Sequence, residues 1–143
     1  GLELAYAGNN VFTRGFYFSS SVTYVESRIK ENPSQLDTID KQQIRVPVWR
    51  GNVLGNYRWN EQLSISLGAR YAGRQFGQLN NSDINGFAYT GNSKLFVVDT
   101  RVLYRVDKQW SIAGGVDNLN NYKYWNFHQY PMRTYHAEVR WNL

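Results

Sequence analysis

From Tyr135 to the C-terminus every second residue is apolar: Tyr135, Ala137, Val139, Trp141 and Leu143. Between them stand Thr134, His136, Glu138, Arg140 and Asn142, all polar or charged. Side chains on a strand point alternately to its two faces, so this stretch is a ribbon with one greasy and one wet side. On a helix, at about 100° per residue, the same apolar positions would scatter round the axis and form no stripe. A two-faced strand has two common homes. In a soluble sandwich or small barrel the apolar face turns into a core. In a membrane barrel it turns outward to lipid and the polar face lines the lumen.

The alternation recurs upstream. It predicts strands over Gly1–Gly8, Phe16–Ser27, Val48–Trp59, Leu63–Gly73, Phe96–Val106, Trp110–Asn118 and Met132–Leu143. Leu63, Ile65, Leu67, Ala69 and Tyr71, for example, oppose Ser64, Ser66, Gly68 and Arg70, whereas Leu54 interrupts the pattern of its strand. The expected fold is all-β, an antiparallel meander of about seven strands without a helix.

Short and long connections take turns along the chain. Asn9–Gly15, Asn60–Gln62 and Asp107–Gln109 are short, whereas Arg28–Arg45, Arg74–Lys94 and Leu119–Pro131 are long and polar, the last of them also aromatic. If neighbours are antiparallel, every short turn lies at one end of the sheet and every long loop at the other, the layout of outer-membrane barrels. Trp59, Trp110 and Trp141 then gather at the short-turn end of the apolar face, with Tyr57 and Tyr104 just inside them. Trp and Tyr collected at one level are what a membrane–water interface selects, so these five form a candidate interfacial belt. Arg58, Arg70, Asp99, Arg101, Arg105, Glu138 and Arg140 all fall on polar faces, a sorting that both homes require.

Other chemistries find little support. No apolar run reaches the roughly 18 residues that a spanning helix needs. Cysteine is absent, which removes disulfides and thiol chemistry. The net charge of +5 is compatible with an acidic partner. Nucleic acid is disfavoured, because stacking platforms interleave aromatics with cations and here the two lie on opposite faces. His128 and His136, the only histidines, have no carboxylate or second histidine at metal-ligand spacing, so no metal or other cofactor is expected. No motif singles out a nucleophile among the many serines, so no enzymatic activity is expected.

Several segments resemble known signatures. Gly115-Val116-Asp117-Asn118-Leu119-Asn120-Asn121-Tyr122, followed by Tyr124, resembles the V-x-N-L-F-D-x-x-Y pattern of the second-to-last strand of TonB-dependent outer-membrane receptors. Pro131-Met132-Arg133-Thr134-Tyr135 and Val139-Arg140-Trp141-Asn142-Leu143 are similar to the family's entry into its last strand and to its aromatic end. Phe96–Val102, Gly68–Gly73 and Gly1–Leu4 resemble its Y-x-V-V-D-L-R, G-x-R-Y-V-G and G-V-E-L motifs, in the family's order and spacing. Two departures stand out: Leu143 replaces the usual final Phe, and Asn120-Asn121 replaces Phe-Asp.

The resemblance implies that residues 1–143, which begin without an initiator Met, are the C-terminal part of a receptor barrel. The plug domain and the N-terminal box that engages TonB would then lie elsewhere. A full barrel of this kind has about 22 strands and a plugged lumen. A seven-stranded piece has two open edges that lipid cannot satisfy, so it is not expected to form a pore alone. The implied function is TonB-driven uptake of a scarce ligand across the bacterial outer membrane, most often an iron–siderophore. The implied partners are that ligand, the lipid bilayer with its lipopolysaccharide, and TonB acting through the absent N-terminal region. The barrel-assembly machinery would read Tyr135, Val139, Trp141 and Leu143. Tyr122, Lys123, Tyr124, Trp125, Phe127 and Tyr130 in the third long loop are candidate ligand contacts. Two alternatives stay open: a small complete outer-membrane barrel of structural or adhesive role, and a soluble β-barrel binding a small apolar ligand, in which Trp59, Trp110 and Trp141 would be buried.

Overall fold

The computed structural model describes residues 1–142, so Leu143 and its part in the proposed assembly signal lie outside the described residues. Seven strands, β1 (Leu2–Asn9), β2 (Phe16–Tyr24), β3 (Trp49–Arg58), β4 (Leu63–Ala72), β5 (Leu95–Arg105), β6 (Trp110–Asp117) and β9 (Thr134–Trp141), form one sheet in that order. Every neighbouring pair is antiparallel. The meander is therefore as the alternation predicts, with boundaries shifted by a residue or two at most ends. β2 stops three residues early, at Tyr24. Two small elements were not foreseen. A short 3-10 turn, Leu36–Thr38, sits in the first long loop, and a miniature hairpin of β7 (Trp125–Asn126) and β8 (His128–Gln129) sits in the third.

The three short turns share one device. Asn10 Oδ1 accepts the Gly15 N–H at 2.8 Å, and Asn60 Oδ1 accepts those of Gln62 and Leu63 at 2.9 and 2.7 Å. Asp107 Oδ1 does the same for Gln109 and Trp110 at 2.7 and 2.8 Å. A short polar side chain closes each turn on its own backbone, which is why Asn and Asp recur there.

Register fixes the two faces. One face runs through Leu4, Val22, Gly51 and Tyr71 to Phe96, and in parallel through Tyr57, Ile65, Val102, Gly114 and Ala137. The other carries Arg50, Asn52, Arg70, Asp99, Arg101, His136 and Glu138. Leu54, the residue that interrupts the alternation, lies on this polar face opposite Gly68, where the missing side chain leaves it room.

Among the described residues no second layer covers the apolar face. Trp59, Trp110 and Trp141 are 67%, 44% and 54% exposed, and Leu4, Leu67 and Val139 are open as well. The soluble reading needs these residues in a core, and they are not in one. Among the described residues β1 and β9 do not pair, so the sheet is open rather than a small closed barrel.

Candidate functional site

The polar face is an ordered network. Arg70 meets Asp99 at 3.0 Å, and Glu138 is held between Arg101 at 2.6 Å and Arg140 at 2.8 Å. Asn52 donates to Ser21 Oγ at 2.8 Å and Asn56 to Ser66 Oγ at 2.6 Å. Cross-strand polar pairs of this kind tie neighbouring strands together on one face. A hollow of about 570 Å³ lies in the middle of the face, lined by Asn52, Arg70, Asp99, Arg101, Asp117 and His136. His136 Nδ1 is 3.6 Å from Asp117 Oδ2. The imidazole lies over Gly115: a Cβ at that position would stand 2.5 Å from His136 Nε2 and 2.5 Å from the Thr100 carbonyl. The glycine of the motif is thus required by close approach.

Asn118 organises the base of the third loop. It is buried, at 4% exposure, and has φ +54°, a left-handed conformation that Asn tolerates better than most residues. Its N–H donates to Asp99 Oδ1 at 2.9 Å. Its Oδ1 accepts the Tyr122 N–H at 2.7 Å, and its Nδ2 donates to the carbonyls of Tyr122 at 2.9 Å and Pro131 at 3.4 Å. Asn120 and Asn121, the pair that departs from the family pattern, have defined work. Asn120 Oδ1 accepts the Val98 N–H and its Nδ2 donates to the Phe96 carbonyl, occupying the edge of β5 that β6 leaves uncovered. Asn121 Oδ1 accepts the Arg133 N–H at 3.1 Å.

Above the sheet the long loops interlock. Arg45 N–H donates to the Phe76 carbonyl at 2.8 Å, and Asn81 exchanges hydrogen bonds with the backbone of Gln42 at 2.7 and 2.9 Å, joining the first loop to the second. Ser93 N–H donates to the Trp125 carbonyl at 2.9 Å and Phe127 N–H to the Gly91 carbonyl at 2.9 Å, joining the second to the third.

Within this layer the candidate ligand-contact residues separate. Tyr122 and Trp125 pack against Phe87, with ring centroids 6.4 and 6.2 Å away, and Phe127 packs against Tyr89 at 5.6 Å. Tyr124 is buried at 8% exposure and stacks on Tyr130 at 4.8 Å. Burial pushes the Tyr124 phenol above its usual range. Lys123 lies over the Trp125 ring, 5.1 Å from its centroid. Phe127 and Tyr130 keep open faces. At the loop base Arg28, then Tyr24, hydrogen-bond the Glu26 carboxylate, which lowers its pKa.

At the short-turn end Trp110 and Trp141 are direct partners, stacked at 6.0 Å. Trp59 meets Tyr57 edge-on at 5.9 Å. Register puts Trp59 level with Leu63 and Tyr104, one inward–outward step nearer the sheet centre than the Trp110–Trp141 pair. A second aromatic group at the long-loop end went unnoticed in the sequence. Tyr24 and Trp49 pair at 4.8 Å, and Tyr71 is opposite Phe96. The signal was present, since all four occupy apolar-face positions at strand ends. Tyr135 and Val139 lie exposed on the apolar face of β9. Among the described residues no three His, Asp or Glu side chains converge as metal ligands.

The family profile described as TonB dependent receptor-like, beta-barrel matches residues 1–119. No curated protein matches the chain. Among solved structures, the ferric citrate transporter FecA in unliganded form is similar at 19% identity and TM-score 0.77, over 90% of this chain and 21% of that one. The ferric enterobactin receptor PfeA from Pseudomonas aeruginosa, an R480A mutant in complex with enterobactin, is similar at 17% identity and TM-score 0.69, over 97% and 22%. The copper transporter OprC is similar at 19% identity and TM-score 0.68, over 97% and 22%. The chain thus spans about a fifth of these structures. An open, two-faced, seven-stranded sheet and a family match over most of its length agree: the chain belongs to the TonB-dependent-receptor-like β-barrel family of the bacterial outer membrane.

Proposed function

We propose that residues 1–143 are the C-terminal wall of an outer-membrane receptor that takes up a scarce ligand with energy delivered by TonB, the ligand being an iron–siderophore complex. The observation that carries this reading is the division of one sheet into an uncovered apolar face and a charged, hydrogen-bonded face beneath an interlocked loop layer. That division suits lipid outside and a filled lumen inside. The two aromatic groups fit the same orientation. Trp49 and Trp59 are ten residues apart, or about 33 Å along a strand, which at a tilt of about 40° spans about 25 Å, the height of an outer-membrane apolar band. The plug and the TonB-engaging segment belong to the rest of the polypeptide, the apolar face meets lipid and lipopolysaccharide, and the barrel-assembly machinery engages the last strand.

The iron–siderophore assignment draws on similarity to a ferric citrate transporter and a ferric enterobactin receptor; the copper transporter supplies the competing choice. The test is binding of ferric siderophores and of copper ions to the full-length receptor, with uptake measured in cells with and without TonB. Saturable ferric-siderophore binding and TonB-dependent uptake are expected. Binding of copper alone would overturn the iron assignment. Uptake of neither would favour a structural or adhesive role.

A further inference from the structure

Two of the three short turns are wholly polar, Asn60-Glu61-Gln62 and Asp107-Lys108-Gln109. The third, between β1 and β2, carries Val11 and Phe12, and it does not point away from the sheet. The Phe12 ring lies 6.2 Å from that of Phe16 and 6.4 Å from that of Phe18, both on the apolar face. Val11 turns to the same side: a Cβ on Gly8 would stand 2.8 Å from a Val11 methyl and 2.8 Å from the Tyr6 hydroxyl. The turn is thus folded back over the apolar face, and Gly8 makes the room. The backbone is strained to do this. Thr13 N–H donates to the Val11 carbonyl at 2.8 Å around Phe12, whose φ is +66°. That is a γ-turn of the rare, strained hand, in a region that bulky side chains seldom enter. Asn10 Oδ1 holds the turn shut through the Gly15 N–H, and Val11 N–H donates to the Phe16 carbonyl at 3.1 Å.

Packing within the chain does not account for this strain, because Phe12 stays 89% exposed. A bare aromatic ring on a strained backbone is unfavourable in water and favourable among acyl chains. Arg14, two residues on, is exposed and has no carboxylate within 4.0 Å among the described residues. A ring beside an unpaired cation, at the edge of an apolar surface, matches the two parts of a glycerophospholipid, acyl chain and phosphate. We propose that the turn between β1 and β2 is a phospholipid-binding anchor in the periplasmic leaflet, with Phe12 among the acyl chains and Arg14 at the headgroup phosphate. The proposal rests on the reading above that the apolar face meets lipid and the short turns lie on the periplasmic side. It adds the lipid class and a site outside the strands, apart from the belt of Trp and Tyr.

The test uses the full-length receptor in nanodiscs of phosphatidylethanolamine and phosphatidylglycerol in equal parts. Spin labels are introduced one at a time through Phe12→Cys, Glu61→Cys in the neighbouring turn, and Leu67→Cys on the apolar face. The label at Phe12 should respond to a lipid-soluble relaxation agent, as at Leu67, and that at Glu61 to a water-soluble one. Native mass spectrometry of receptor released from the nanodiscs should show bound phosphatidylglycerol. Arg14→Gln should reduce it about fivefold, the worth of one cation near an anionic surface, and Arg14→Lys should largely keep it. Phe12→Gly relieves the left-handed strain, so the sheet should keep its circular dichroism while the lipid is lost. A label at Phe12 as open to water as that at Glu61 would overturn the proposal. So would one shielded from both agents, as a protein partner would shield it, or phosphatidylglycerol retention unchanged by Arg14→Gln. Lipid access at Leu67 without it at Phe12 sinks the anchor alone, whereas no lipid access at Leu67 sinks the lipid-facing reading on which it rests.

Discussion

Replacing Asn118 tests whether one buried amide holds the third loop to the sheet. In Asn118→Ala the Tyr122 N–H and carbonyl lose partners at 2.7 and 2.9 Å, and the longer bond to Pro131 goes as well. Two part-buried backbone groups left without partners cost about 2–4 kcal/mol. Alanine at φ +54° adds about 1 kcal/mol of left-handed strain. The loop base is therefore loosened by about 3–5 kcal/mol, or roughly two to three and a half decades in local opening at 1.4 kcal/mol per decade. Asn118→Gly removes the strain but not the lost bonds, and should lie about 1 kcal/mol closer to the parent. Asn118→Asp keeps the acceptor for Tyr122, loses the donor, and sets a second carboxylate beside Asp99, which already accepts the Asn118 N–H. The assay is amide hydrogen exchange of residues 119–133 in the full-length receptor. Exchange in Asn118→Ala within threefold of the parent would refute the reasoning, and equal rates for the Ala and Gly variants would refute the strain component.

Gly115→Ala forces a methyl group against His136 and the Thr100 carbonyl, and because the carbonyl is backbone the penalty should sit near the upper end of about 1–3 kcal/mol. It is read as a lower unfolding temperature, which Gly115→Ala/His136→Ala recovers only in part. Glu138→Gln leaves Arg101 and Arg140 facing each other. The carboxylate is partly exposed, so the loss should be small and should shrink as salt rises in thermal unfolding followed by circular dichroism. The Tyr124 phenol titrates above its ordinary 10.0 because burial disfavours its charged form. Its raised folded pKa means that this contribution to loop order is complete below pH 10.0 and is lost as pH rises through the folded value. Phenolate absorbance should show a late-titrating tyrosine that Tyr124→Phe removes.

The sheet was legible in the sequence because its cause is local. Period-two alternation in Leu63–Tyr71 needs no knowledge of the neighbouring strand, and a strand that slipped by one residue would turn every apolar side chain to the wrong face. Asn60 and Asp107 marked their turns for the same reason. The loops were not legible, because what orders them is distant in sequence. Asn81 reaches Gln42 and Ser93 reaches Trp125, and neither pairing leaves a period. The early end of β2 at Tyr24 is of the same kind: Val25 N–H still donates to the Val48 carbonyl, after which the chain leaves for the loop layer. Asn120 read as one more loop residue, whereas its side chain takes the place of a strand backbone along β5. The candidate aromatics were found by composition, but composition does not say which rings are spent on one another. Tyr124 and Tyr130 stack together, and only part of the set keeps an open face.

The central claim is that lipid lies on one face of this sheet and the lumen on the other. Spin labels placed one at a time from Ser64 to Arg70 in the full-length receptor, reconstituted in bilayers, test it most directly. Accessibility to a lipid-soluble relaxation agent should alternate, high at Ile65, Leu67 and Ala69 and low at Ser64, Ser66, Gly68 and Arg70. A flat profile, or one with the opposite phase, would contradict it.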